Sequence, residues 1–286
     1  MRYRFVRFPE GRCKAVTLSY DDGSTHDRHF LEIINQHGLK CTFNINSKAI
    51  LRGDSWRISS QEVYDLHHKY GHEVAVHGAK HIALGRATAV NGIRDVLECR
   101  LELEKLMKCI IRGMAYPDSG ITRLTEGGDR ESIYRYVEQL GILYARTLGG
   151  DNDTFALPEN WYAWMPTCHH KNPRLMEYVD KFLQEDPQKA YMRDAKLFYL
   201  WGHSFEFAND NNWELLEEFG RRIGGHQDIW YATNIEICEY VRAYHQLVFS
   251  VNNDIVYNPT VKKIWFATYK TEYCIEPGQT LYISEE

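Results

Sequence analysis

Hydrophobic and polar positions switch repeatedly between a strand-like and a helix-like period along this chain. The run Ala15-Val16-Thr17-Leu18-Ser19-Tyr20 is stopped by Asp21-Asp22-Gly23, so it reads as a buried strand ending in a turn. Helical spacing follows over residues 29–37, with Phe30, Ile33 and Ile34 apolar and Gly38 as a C-terminal cap. Cys41–Ile45 reads as a strand, Ser60 opens a helix closed by Gly71, and residues 72–76 read as a strand again. The most regular helix is expected over 93–108, with Ile93, Val96, Leu97 and Leu101 on its apolar face. Strands over 110–116, 142–145 and 197–201 continue the pattern. Helices are expected over 132–140, 173–184, 213–223 and 234–244. This alternation, from residue 13 to about residue 245, favours a parallel-stranded α/β barrel.

The rhythm changes near Gln246. Residues 246–251, 263–268 and 280–284 are β-like runs divided by Asn-Asn, Asn-Pro and Pro-Gly turns, with no helix between them. The expected division is a barrel over 1–245 and a β-rich extension over 246–286. About 40 residues do not easily build their own core, so the extension should pack on the barrel.

Composition narrows the function class. Of 286 residues, 44% are hydrophobic and 26% charged, with a net charge of -5, which gives no support to nucleic-acid or anionic-membrane binding. No run approaches the roughly 18 apolar residues that span a bilayer. The first ten residues are charged throughout and lack the apolar stretch of a secretory signal. Seven widely spaced cysteines with no Cys-x-x-Cys pair indicate neither a disulfide framework nor a cysteine zinc site. The expectation is a reducing, cytoplasmic setting; oligomeric state is not readable.

The candidate chemistry lies at strand ends. His77 and His81 stand four residues apart, a spacing at which two imidazoles can share one divalent metal. Spacing alone is weak, because 13 histidines give ~0.6 such pairs by chance, and His68 and His72 show it too. His77, however, closes an apolar strand, where parallel α/β folds carry their active sites. Asp21-Asp22 also closes a strand, and adjacent carboxylates serve one site only if the strand stops there. Read alone, Asp-Asp-Gly is a capped turn. His203 closes a third strand, where a buried histidine is usually structural but can act as a general acid. Tyr116-Pro117 closes a fourth.

Together these residues resemble the polysaccharide deacetylase superfamily, the NodB-homology domain. The matching pieces are Thr17-Leu18-Ser19-Tyr20-Asp21-Asp22-Gly23, Cys41-Thr42-Phe43-Asn44-Ile45, the run from Gly71 to His81, Ala115-Tyr116-Pro117 and Leu200-Trp201-Gly202-His203. Order and spacing agree over about residues 13–205. The resemblance implies a distorted (β/α) barrel of about seven repeats, and leaves the β-rich tail unexplained. It also implies that Asp22, His77 and His81 hold one divalent metal, that Asp21 is the general base and that His203 is the general acid. Zinc suits two imidazoles and a carboxylate best; cobalt, nickel, manganese or iron fit the same ligands. The implied reaction removes an acetyl group from a carbohydrate, N-acetylglucosamine units foremost.

Two departures stand out. Ala115 occupies the place where the family offers an arginine to orient the base. Arg112 is near in sequence, and Arg146, at the end of another strand, is the preferred substitute. The family's acidic-residue–tryptophan motif is not recognisable; Asp151, Trp161, Trp164 and His169-His170 stand in that region. Tyr116, Trp161 and Trp164 are the candidate substrate-binding residues, with ordinary core packing as the alternative for the tryptophans. A hydrolase of a small cyclic or linear amide, and a non-catalytic carbohydrate-binding protein, are the rival readings.

Overall fold

The computed structural model describes residues 3–187, 193–269 and 271–283. Strands β1 (Phe5–Arg7), β2 (Lys14–Asp21), β3 (Cys41–Ile45), β4 (Glu73–Val76), β5 (Gly113–Ala115) and β6 (Tyr144–Arg146) come first along the chain. They are followed by β7 (Cys168–His169), β8 (Lys196–Gly202) and β9 (Ile229–Tyr231). The helices between them are α1 (Asp27–Gln36), α2 (Ser47–Arg52), α3 (Ser60–His68), α4 (Ala89–Met107) and α5 (Arg130–Gln139). The set is completed by α6 (Leu175–Gln184), α7 (Ser204–Asn209), α8 (Trp213–Ile223) and α9 (Asn234–His245).

The parallel sheet runs β6-β5-β4-β3-β2-β8-β7. All eight residues of β2 are buried, as expected of a central strand covered on both faces. One edge of β2 meets β8 along its length; the other takes β9 along Lys14–Val16 and β3 along Leu18–Asp21. The segment ahead of β7 shuts the sheet into a ring. Trp164 bridges in parallel to Arg146, and a few residues later β7 pairs with β8. The expected distorted barrel is therefore present, and the segment carrying Trp164 and β7, to which the sequence pattern assigns no element, builds its seam.

Local sequence explains several boundaries. Ser59 with Glu62 and Thr233 with Glu236 form capping boxes that start α3 and α9, and Asp129 caps α5 through the amide of Ser132. The expected apolar face of α4 needs correction. Leu97 is 39% and Leu101 58% exposed, while Val96, Cys99, Leu103 and Met107 form the buried stripe. Asp95 shares that stripe because two backbone amides meet its carboxylate there, which sets the rotation of the helix. The strand expected over 110–116 shrinks to β5, with Ile110 73% exposed.

The C-terminal strands are β10 (Val248–Phe249), β11 (Ile255–Tyr257), β12 (Ile264–Ala267), β13 (Glu272–Ile275) and β14 (Thr280–Tyr282). The run expected over 280–284 ends at Tyr282 in the structure, and Ser284 lies outside the described residues. They form two antiparallel sheets, β10-β11-β14 and β1-β12-β13, the second recruiting the N-terminal strand. Val256, Ile264, Phe266 and Ile275 share a core with Phe8, Tyr144, Trp164 and Leu197. Among the described residues no helix is long and apolar enough to cross a membrane.

Candidate active site

Register brings four chemistry-bearing strand ends to one rim. Tyr20 of β2 lies opposite Gly202 of β8, Asp21 opposite Asn44, Val76 opposite Met114, and Ala115 opposite Arg146. Asp21, Asp22, His77, Arg146 and His203 each stand at or just past these positions.

The backbone at the proposed metal ligands is strained. Asp22 has φ 82° and His81 φ 59°, left-handed values that non-glycine residues seldom adopt and that cost on the order of 1–3 kcal/mol each. Gly78, at φ 73°, permits the tight return between the histidines, and a Cβ there would come within 2.3 Å of the Asp95 carboxylate. Asp95 holds this loop by accepting the amide of Lys80 at 2.7 Å and that of Ile82 at 3.4 Å. Its own backbone carbonyl accepts the amide of Ala79 at 3.1 Å.

His77 is buried, and its Nδ1 bonds the Ala115 carbonyl at 2.9 Å. A carbonyl only accepts, so the proton sits on Nδ1 and the Nε2 lone pair faces the carboxylates. Asp22 Oδ1 is buried without a hydrogen-bond partner, 3.9 Å from His77 Nε2 and 3.7 Å from His81 Nε2. The three ligand atoms lie within 4.8 Å of one another. An orphaned carboxylate oxygen facing two imidazole nitrogens, one with its lone pair turned inward, suits a divalent cation. Burial, opposed by Asp21 and Asp22, keeps His77 below the ordinary histidine range, so the ring is neutral as a ligand requires.

Asp21 is 3% exposed. Its Oδ2 accepts Arg146 Nη2 at 2.5 Å and its Oδ1 accepts Asn44 Nδ2 at 2.8 Å. Burial alone would raise its pKa, but Arg146, then His77, His203 and the Asn44 bond outweigh that and hold the carboxyl below the usual range. Arg146 also lies over the Trp201 ring, 4.3 Å from its centroid. Arg112 instead pairs with Glu239, so of the two arginines it is Arg146 that reaches Asp21.

His203 is the N-cap of α7, with Nε2 3.9 Å from Asp21 Oδ2. Its backbone amide and its Nδ1 both meet Glu206 Oε2 at 3.1 Å. Burial works against charging this ring, but the Glu206 bond and then Asp21 raise its pKa above the ordinary value. His169 Nε2 meets the same Glu206 oxygen at 3.1 Å. Although His169, His203 and Glu206 have metal-ligand proximity, the amide of Lys171 donates to His169 Nδ1, which places the His169 proton on Nε2, toward Glu206. That trio is a hydrogen-bond network.

The remaining candidates sit elsewhere. Tyr116 is 1% exposed and its hydroxyl donates to the Tyr162 carbonyl. Trp164 is 1% exposed and packs edge-on against Tyr144, Trp161 and Tyr199. The tryptophans thus face the barrel seam, and neither the Trp164 nor the Tyr116 ring is presented at the mouth. His68 bonds the Met107 carbonyl and His72 bonds Asn35 and the Cys41 amide, so that pair is structural. Sequence reading missed Asp95, Asn44, Arg57 and Glu206. Only Glu206 had a signal, as the third residue after a strand-ending N-cap.

Residues 9–137 match the family model for polysaccharide deacetylase. No curated protein sequence matches the chain. Among solved structures, a candidate polysaccharide deacetylase from Mycobacterium smegmatis is similar at 18% identity, covering 86% of this chain and 96% of that one, with a TM-score of 0.57. Puue allantoinase is similar at 13% identity, covering 83% and 93%, with a TM-score of 0.59. The match to Streptococcus pyogenes deacetylase PplD covers 46% of this chain and only 55% of that one, at 14% identity and a TM-score of 0.40. At these identities the first two likenesses establish the fold alone.

Proposed function

We propose, starting from a chain whose residues 9–137 are of the polysaccharide deacetylase family, that it is a metal-dependent hydrolase removing acetyl groups from an acetylated carbohydrate. N-acetylglucosamine units are the foremost substrate. The observation that carries this reading is the convergence, on one rim, of an orphaned Asp22 oxygen with two histidines beside an arginine-held carboxylate and a carboxylate-held histidine.

Asp22, His77 and His81 would hold the cation, zinc first among the candidates. A divalent cation there would polarise the acetyl carbonyl and lower the pKa of a water toward about 7. Asp21 takes the proton from the attacking water. Its depressed pKa keeps it ionised, and Arg146 and Asn44 fix its direction. His203 carries a proton on Nδ1 toward Glu206 and directs Nε2 into the mouth, where it protonates the departing amine or alcohol. Asp21 and His203 thus divide base and acid roles between groups whose surroundings push their pKa values in opposite directions.

The test is acetate release from acetylated chito-oligosaccharides by metal-loaded protein, by chelated protein and by the Asp21→Asn variant. Release that is lost on chelation and restored by added metal supports the reading. Ammonia or carboxylate released from cyclic amides such as allantoin, without acetate release from any sugar, would overturn it in favour of the amide hydrolase. Binding without either reaction would point to a carbohydrate-binding protein.

A further inference from the structure

The segment after α2 runs alongside the metal-ligand turn. Thr25 donates its amide to the Trp56 carbonyl at 3.0 Å, Ile58 donates to the Gly23 carbonyl at 2.9 Å, and Ser24 and Arg57 form an antiparallel bridge. Arg57 is largely buried; its Nη1 donates to the Asp22 carbonyl and lies 3.7 Å from Asp22 Oδ1. The Trp56 indole is stacked on this guanidinium, 3.5 Å from Arg57 Cζ to the ring centroid. With one face so covered, an exposure of 52% leaves the other face to solvent.

An exposed tryptophan is usually incidental. This one differs in being held at two points: its carbonyl accepts the Thr25 amide, and its ring lies on Arg57, which is itself tied to Asp22. A flat apolar face held rigid beside a reaction centre loses little entropy when a ligand stacks on it. The C–H face of a pyranose ring is the complementary surface.

We propose that Trp56 is a sugar-stacking platform for a ring next to the one being deacetylated, so that the site favours an oligosaccharide over a monosaccharide. Arg57 is its positioning residue. The proposal rests on the carbohydrate reading above, and its test separates from that of the reaction. Tri-N-acetylchitotriose and N-acetylglucosamine are titrated by calorimetry into the metal-loaded Asp21→Asn protein, which suppresses turnover, with and without Trp56→Ala or Trp56→Phe. The expected result is roughly tenfold weaker trisaccharide binding for Trp56→Ala, near-normal binding for Trp56→Phe, and little change for the monosaccharide in either. In the otherwise wild-type chain, Trp56→Ala should raise KM for the trisaccharide and leave kcat and metal content unchanged. Equal trisaccharide affinity with and without the indole, or no trisaccharide binding at all, would overturn the platform. Acetate release that persists with equal affinity would leave the deacetylase reading standing alone.

Discussion

The Asp95 carboxylate on α4 accepts the backbone amide of Lys80 at 2.7 Å, inside the loop that joins His77 to His81. The geometry of the proposed metal ligands therefore depends on a helix residue, Asp95. Removing such support typically costs 10–100-fold in metal affinity. Asp95→Ala should weaken binding by about that factor, and Asp95→Asn by less, because its amide oxygen still accepts one bond. Metal titration monitored alongside circular dichroism checks this; unchanged affinity in a folded Asp95→Ala protein would refute it.

Arg146 and Asp21 form an ion pair in which both side chains are almost fully buried. Deleting one partner strands a charge and typically costs about 3–5 kcal/mol, more than deleting both. Arg146→Gln should therefore destabilise the fold strongly, and Arg146→Gln combined with Asp21→Asn less than the single change. Turnover should fall roughly a hundredfold or more in Arg146→Gln with metal content retained. Urea denaturation of the four proteins in the cycle measures the coupling, and strict additivity would show that the pair is not coupled.

The barrel was legible because its strands are continuous apolar runs stopped by Asp-Asp-Gly, His-Gly or Gly-His, and those stops are also where the candidate site residues converge. Arg146 was reachable as a strand-ending substitute for the arginine that the family resemblance implies, and it pairs with Asp21 in the structure. The supports were not legible. Asp95 and Arg57 look like surface charges in the sequence, and only tertiary packing shows that amides and Asp22 draw them inward. Trp164 and Tyr116 misled for the converse reason. Aromatic rings near a site suit ligand stacking and core packing equally, and the choice depends on a barrel seam that no local pattern announces.

Glu206 holds His203 by two contacts to one oxygen, at the backbone amide and at Nδ1. Glu206→Gln should keep the shape of the cap while weakening the bond that does most to raise the His203 pKa and removing the Glu206 charge, leaving that of Asp21. The acid form of His203 is lost as pH rises, so a lower pKa moves the alkaline limb of the kcat profile to lower pH. The expected variant binds metal normally, turns over more slowly, and shows this shift. An unmoved alkaline limb would remove Glu206 from the acid's control.

Glu73, at the opposite end of β4 from His77, carries a different pH signature. Burial raises its pKa to about 7, against the bonds from Tyr144, Thr42 and the Ile235 amide that favour its charge. The unfolded carboxyl titrates near 4.5. The folded state thus binds the extra proton between about 4.5 and 7, so its stabilising effect is complete below 4.5 and is lost as pH rises through 7. Asp27, raised to about 7 by burial, acts in the same direction. A shift of this size corresponds to about 3 kcal/mol for Glu73. Glu62, held near 2 by its bond to Arg28, has the opposite sign but titrates at lower pH, outside a comparison of pH 5 with pH 8. Burial lowers His72 and His170 to about 3, so that only their unfolded rings are charged at pH 5 and they oppose Glu73 within that window. In Glu73→Gln the amide oxygen can still accept from Thr42 and Ile235 while the amide nitrogen donates to the Tyr144 hydroxyl oxygen. On going from pH 5 to pH 8 the wild-type chain should therefore lose more stability, or gain less, than Glu73→Gln by up to about 3 kcal/mol, as read by urea denaturation of both proteins at the two pH values. An equal difference in both proteins would mean that Glu73 is ionised throughout, its three donors outweighing its burial.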